Sequence, residues 1–382
     1  MPVELWPHGC SNLLCLPPPV VDDIYFGILL IANTLNCLIA IASMYLVAKL
    51  RLPWCCPKVA KSQQLPSQQS APPITIVVPC YLPNEQTIIE STIDHIMHRL
   101  KWPGTLTLIV VYNTPVPLPF EERLKLLDRR EYAPGRVLRI IHALGSTSKA
   151  ENLNVVLQQH VSDDFVAIYG KCAPASGLTD APALTRASPT LPPSPISSDP
   201  SASPTTDADH HPDESSVSLL MATMLEGGGG GGGEDGFSGG RVACVQGSTY
   251  IRNARGSLLA RAVDAEFFVT HFIYFPAMQV IASSAYFGGS NALWRTAVLR
   301  LYPFDAELLT EDVDVSARAL LGGHSMAFCP EARSGELSPV GTVALVTQRL
   351  RWFMGWEQVC MHTRLRLHNP HEALRPAMVR VG

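Results

Sequence analysis

Three short stretches of this sequence carry side chains that can do chemistry. Asp207-Ala208-Asp209 sets two carboxylates two residues apart. In extended backbone such side chains leave the same face, so both can bind one hard divalent cation and, through it, a diphosphate. Leu309-Thr310-Glu311-Asp312-Val313-Asp314 is a second acidic cluster. Thr310 is expected to cap a helix whose first turn favours acids, and a carboxylate held there can also take the proton from an attacking hydroxyl. Gln348-Arg349-Leu350-Arg351-Trp352 lies in a helix-compatible stretch with Phe353, Met354 and Trp356. The spacing of Gln348 and Arg351 predicts an amide and a cation on one helix face, with Trp352 beside them as a platform for a sugar ring. Each stretch has a plainer reading as well: a solvated acidic loop, an ordinary helix start, and a basic aromatic helix lying on a membrane surface.

The elements around these stretches decide how to read them. Ile74–Pro79 and Thr105–Tyr112 are short β-branched runs separated by a helical pattern over Thr87–Leu100, and Arg136–His142 and Phe165–Tyr169 repeat the signal around a helix-like Lys149–His160. Strand-helix-strand alternation predicts an α/β fold with a largely parallel sheet. Residues 170–206 are dominated by Pro, Ser, Ala and Thr and are expected to be a disordered insertion, as are residues 226–240, which hold seven consecutive glycines. With the first insertion set aside, Phe165–Tyr169 runs directly into Asp207. The carboxylate pair is then expected at the C-terminal end of a strand, where open-sheet enzymes bind ligands.

Phe26–Ala48 carries no charge and spans about 35 Å as a helix, enough for a bilayer core. It is followed by Lys49, Arg51, Lys58 and Lys61 and preceded by Glu4, Asp22 and Asp23, so the positive-inside rule predicts a cytoplasmic location for everything downstream. The expected organisation is a short non-cytoplasmic tail over 1–23, a transmembrane helix over 24–50, a Pro/Ser/Gln-rich linker over 51–73, a catalytic domain over 74–335, and an interfacial helix region over 336–382. The formal charge of -4 supplies no basic face, which argues against nucleic acid as a partner. The 10 cysteines form no C-x-x-C pair and no regular framework, so neither a zinc site nor a disulfide scaffold is indicated.

Taken in order, Val78-Pro79-Cys80-Tyr81 with Asn84-Glu85, Lys149-Ala150-Glu151-Asn152-Leu153-Asn154, Asp207-Ala208-Asp209, Phe287-Gly288-Gly289-Ser290-Asn291, Thr310-Glu311-Asp312 and Gln348-Arg349-Leu350-Arg351-Trp352 resemble the membrane-bound glycosyltransferase family 2. That group includes cellulose, chitin, hyaluronan and poly-N-acetylglucosamine synthases, and the resemblance runs from about Ile74 to Trp356. It implies a GT-A fold, which is Rossmann-like, a UDP-sugar donor, Mg²⁺ or Mn²⁺, and inversion at the anomeric carbon. It further implies Asp207 and Asp209 as metal and UDP ligands, Lys149 near the nucleotide, and Asp312 as base. Glu311, Gln348, Arg351 and Trp352 would form the acceptor and diphosphate site, and Asp314 would belong to the following helix and tolerate substitution. The chain departs from the family at Val111-Tyr112-Asn113-Thr114-Pro115, where an aspartate pair usually contacts the uridine; Asn113 is the group left to hydrogen-bond the base. The acceptor is expected to be a glycan hydroxyl. The alternatives are a membrane lipid of the ceramide type as acceptor, or an inactive tethered relative that only binds nucleotide sugar.

Overall fold

The computed structural model describes residues 71–170, 209–226, 242–339 and 341–368, together with Ile41 and Tyr45. The chain divides into two compact units, Met1–Pro57 and Lys58–Gly382, and every strand belongs to the second. The expected transmembrane helix lies outside the described residues except for Ile41 and Tyr45, both helical and exposed. Among the described residues, no helix is long and apolar enough to cross a membrane.

The second unit is built on one nine-stranded sheet. The strands are β1 (Ile74–Tyr81), β2 (Leu106–Asn113), β3 (Glu131–Ala133), β4 (Arg136–His142), β5 (Phe165–Ile168), β6 (His211–Pro212), β7 (Val242–Ile251), β8 (Ala292–Arg295) and β9 (Ser325–Glu336). Their order across the sheet is β3-β4-β2-β1-β5-β8-β7-β9-β6. The half read from the apolar runs is parallel, with β1 pairing β2 and β5, and β2 pairing β4. In the other half β8 runs antiparallel to both β5 and β7 and β6 antiparallel to β9, while β7 and β9 pair in parallel. The sheet is therefore mixed where a largely parallel one was expected. The departure starts at β8, which the Phe287–Asn291 turn delivers antiparallel to both of its neighbours although a helical run connects it to β7.

Helices cover both faces, as a sheet buried on two sides requires. α1 (Ile89–Arg99) and α3 (Ser216–Glu226) pack Ile93, Ile96, Leu220 and Met224 onto one face. On the other, α2 (Lys149–Gln159) supplies Leu153 and Val156, and α6 (Glu311–Leu321) supplies Val315 and Ala319. Between β7 and β8 runs a continuous helix: α4 (Leu258–Phe268), one π-helical stretch (Val269–Tyr274) and α5 (Phe275–Ala282), which ends on Ser283 in left-handed backbone. The last described element is α7 (Thr342–His368). Glu336, expected to open the interfacial region, is instead the last residue of β9.

Candidate active site

α2 begins where the sequence says it should. Ser148 sits at the N-cap in extended backbone with its Oγ accepting from the Glu151 amide at 3.2 Å, and the Glu151 carboxylate reaches back to the Thr147 amide at 2.6 Å. That start aims Lys149 inward. Its side chain, 6% exposed, donates from Nζ to the Gly289 carbonyl at 2.8 Å and pairs with Glu311 Oε1 at 3.1 Å. One lysine thus ties α2, the Phe287–Asn291 turn and the first residue of α6 together.

The turn itself is held from beneath. The Gln246 side chain of β7 accepts from the Gly288 amide at 2.9 Å and donates to the Ser290 carbonyl at 2.9 Å. The Asn291 amide donates to the Ser248 and Ala332 carbonyls at 2.7 and 3.0 Å. Gly289 has φ +87, and a Cβ built on it would come within 2.6 Å of Asp312 Oδ2 and 3.6 Å of Lys149 Nζ. The glycine is needed both for its left-handed backbone and for the space that Asp312 occupies.

α6 starts with Glu311, Asp312 and Asp314 in its first turn, a placement its dipole favours. Thr310 occupies the N-cap position but makes no cap hydrogen bond, contrary to expectation. Its side chain is turned onto Gly355 of α7, where an added Cβ would lie 2.5 Å from Thr310 Cγ2. Together with a hydrogen bond from the Leu309 amide to Gln358 Oε1 at 3.2 Å, this close approach brings α7 against α6. The acidic cluster and the aromatic helix meet for that reason.

Between them lies a cavity of about 140 Å³. Its lining includes the charged Lys149, Glu311, Asp312 and Arg351 and the rings of Phe267, His271, Phe275, Tyr286, Trp352 and Trp356. The rings include a connected series, with His271 to Phe275 at 5.1 Å, Phe275 to Tyr286 at 4.5 Å and Tyr286 to Trp356 at 6.2 Å. Burial, with Tyr274 and Asp312 adding to it, pushes the Tyr286 phenol well above its ordinary range, so that it keeps its proton and can donate. A site lined by both charges and flat rings can hold a phosphorylated sugar and present a hydroxyl to a carboxylate.

Lys149, Glu311, Asp312, Arg351 and Trp352 are thus brought together, and Asn113, Asp209 and Gln348 are not among the lining. Gln348 accepts from Arg349 Nη1 at 2.8 Å. Asn113, at the end of β2, donates to the Ser146 carbonyl at 3.1 Å and accepts from Asn152 Nδ2 at 2.8 Å, bracing the entry to α2. Asp207 lies outside the described residues. Asp209 lies on the run into β6, four places from β5 in the sheet, because the extended segment adds to the β9 edge; it does not continue from β5. Its carboxylate is 2% exposed and accepts from the Leu337 amide, and its carbonyl accepts from Arg252 Nη2 at 2.6 Å. His210 is clamped nearby between Ser334 Oγ at 3.2 Å and Glu336 at 3.0 Å. Among the described residues no group of three or more His, Cys, Asp or Glu side chains can hold a metal ion. These residues alone do not make a cage for a hard divalent cation, which takes six or more oxygens.

Sequence reading missed Phe267, His271, Phe275 and Tyr286. The first three come from the helical run between β7 and β8, and His271 lies in its π-helical stretch. Tyr286 directly precedes the Phe287–Asn291 turn, a signal that was within reach.

Residues 205–380, which include the acidic cluster, the turn and the aromatic helix, match the family described as Glycosyl transferase family group 2. That part of the chain is similar to this glycosyltransferase family. No curated protein matches the sequence. Among solved structures the chain resembles a mannosyltransferase, PcManGT, from Pyrobaculum calidifontis in complex with GDP-Man and Mn²⁺, at 17% identity over 88% of this chain and 83% of that one, with a TM-score of 0.45. It also resembles S. aureus TarS 1-349 in complex with UDP-GlcNAc, at 14% identity over 70% of this chain and 59% of that one, with a TM-score of 0.41. A third is glucosyl-3-phosphoglycerate synthase from Mycobacterium tuberculosis in complex with Mn²⁺, UDP and phosphoglyceric acid, at 17% identity over 72% and 74%, with a TM-score of 0.38.

Proposed function

We propose that this glycosyltransferase moves a sugar from a UDP-sugar to a hydroxyl of a glycan acceptor with inversion, and that Asp312 is the base. The observation that carries the reading is the joint of Lys149, Gly289, Glu311 and Asp312 at the start of α6, in a cavity whose lining also includes Trp352 and Trp356. Asp312 takes the proton of the acceptor hydroxyl as that oxygen attacks the anomeric carbon. Lys149 and Arg351 face the charge that develops on the departing diphosphate. Trp352 and Trp356 offer flat apolar faces to a sugar ring. Asp207 and Asp209 remain the sequence's candidates for Mg²⁺ or Mn²⁺, but no step is assigned to the ion.

The test is UDP release from a panel of UDP-sugars, with and without Mn²⁺, using wild type and Asp312→Asn. The wild type should turn over one donor. The variant should lose roughly 10²–10⁴ in kcat while its UDP Kd stays within about twofold. Absence of UDP release with every donor would leave a binding protein. Collapse of UDP affinity in the variant would remove Asp312 as base.

A lipid acceptor is the second reading, and one observation favours it. On α7 the side away from the domain carries Val343, Val346, Leu350, Phe353, Met354 and Met361, all exposed, at helical spacing. An apolar stripe of that kind suits a membrane surface, which fits an interfacial helix close to the site. Transfer to ceramide in vesicles, compared with transfer to soluble oligosaccharides, separates the two acceptors.

A further inference from the structure

Arg349 stands between the two helices that frame the aromatic lining. It belongs to α7, and its guanidinium meets Glu266 of α4 through two nitrogens, Nη2 at 2.8 Å and Nε at 3.2 Å from Oε2. The same guanidinium carbon lies 4.1 Å from the centroid of the Trp352 ring, over its face. Nη1 donates to Gln348 Oε1 at 2.8 Å. A planar cation with five donors can serve an anion, an amide and a ring at once, which a lysine ammonium cannot do with the same geometry.

Each partner matters to the cavity. Glu266 and Trp352 both line it. The rest of the indole packs with Leu345 and Ala254 against Ile251, Val263 and Phe267, so it is supported on one side by an apolar cluster and on the other by the guanidinium. Arg349 is three-quarters covered and Glu266 about half. At that exposure the ion pair alone adds little to global stability, as is usual for pairs near solvent. What the arrangement does fix is geometry: an indole held between a packed face and a cation has one orientation, and α7 is latched to α4 across the cavity mouth.

We propose that Arg349 is a positioning residue that fixes the Trp352 ring as the acceptor platform by clasping α7 to α4 through Glu266. The assignment of Trp352 to the acceptor rests on the glycosyl-transfer reading above; the clasp itself does not. Removing the guanidinium frees the ring to rotate, which weakens the acceptor and leaves the nucleotide alone, since Lys149 and its partners are not touched by Arg349.

The test uses the full-length chain labelled with 5-fluorotryptophan, with the Trp352 resonance assigned by its loss in Trp352→Phe. In Arg349→Gln that resonance should shift and broaden while the Trp102 and Trp294 signals stay in place. With phenyl glycosides as acceptor probes, KM for the acceptor should rise about tenfold, with kcat at saturating acceptor and the UDP Kd each within about twofold. Arg349→Lys should fall between the two in both readouts, and it covers the case in which the glutamine variant does not fold. Glu266→Gln combined with Arg349→Gln should be no worse than Arg349→Gln alone, because the two residues act through one contact. An unmoved Trp352 signal in Arg349→Gln and Arg349→Lys overturns the clasp. A moved signal with unchanged acceptor KM overturns the acceptor role. If the wild type releases no UDP from any donor, the glycosyl-transfer reading fails and the fluorine signal still decides the clasp.

Discussion

Gly289→Ala is the sharpest probe of the joint that places Asp312. A methyl at this position would sit 2.6 Å from Asp312 Oδ2, whereas ordinary contact begins near 3.4 Å, so the carboxylate must retreat by about 0.8 Å. The backbone at φ +87 also suits glycine and strains alanine, costing of order 1–3 kcal/mol of stability. Two different losses are therefore expected, and they are read by different assays. Urea denaturation should show a drop of that size. Displacing a catalytic group by about 1 Å can cost on the order of 10²-fold in rate, so kcat for transfer should fall by roughly that factor. UDP affinity should change little, because Lys149 Nζ is 3.6 Å from the added methyl, an ordinary contact. A variant that loses stability but keeps its kcat would show that Asp312 need not stand where the structure puts it, and the argument for it as base would fail. A variant that loses UDP binding first would move the joint to the donor side.

Asp314→Asn should be crippling, but through the fold. Asp314 is fully buried and pairs with Arg318 at 2.6 and 2.7 Å, while Arg318 also donates to the Pro303 carbonyl. Halving a buried pair leaves an uncompensated charge and costs about 3–5 kcal/mol, to be measured by urea denaturation; unchanged stability would refute the pairing. Asp314 is therefore no neutral control for Asp312, as the sequence suggested it would be. Glu311→Gln should tighten UDP binding by a few-fold, because it removes the carboxylate that competes with a phosphate for Lys149 at 3.1 Å. Isothermal titration with UDP checks this, and weaker binding would mean that Glu311 orients the lysine instead.

The sequence was legible where a single element carries its own signal. β1, β2 and β5 are apolar runs buried on both faces and β4 alternates buried Leu138 and Ile140 with half-buried neighbours; all four were readable within one or two residues. Ser148 and Glu151 announce α2, and the acidic turn announces α6. β9 was not readable: Ser-Met-Ala-Phe-Cys-Pro-Glu-Ala-Arg-Ser-Gly-Glu holds a proline and three charges, and it is a strand only because β7 lies beside it over its whole length. β7 hides for a related reason, since Gln246, Ser248 and Thr249 are buried polar residues whose partners are far away in the chain. Proximity in sequence also misled. Asp209 looked like the end of β5, but which edge a two-residue strand joins depends on hydrogen bonds to Ser334 and Gly335, and no local pattern encodes those.

The two ends of the connection from β5 to β6 explain how the sheet accommodates residues 171–208 at all. At one end Gly170, buried with φ +117, donates its amide to Ser290 Oγ at 2.9 Å. At the other, Asp209 is fixed by the Leu337 amide and Arg252, and Arg252 also donates to His211 Nδ1 at 3.0 Å. Each end is thus pinned to a different part of the sheet by bonds that do not pass through the connection. The cost of closing a loop grows only with the logarithm of its length, so going from about four residues to about forty adds roughly 2 kcal/mol. The sheet, the Phe287–Asn291 turn and the cavity are built from residues on either side of that connection. A long connection therefore weakens the domain modestly and leaves Lys149, Glu311 and Asp312 where they stand. What it does separate is Asp209 from β5.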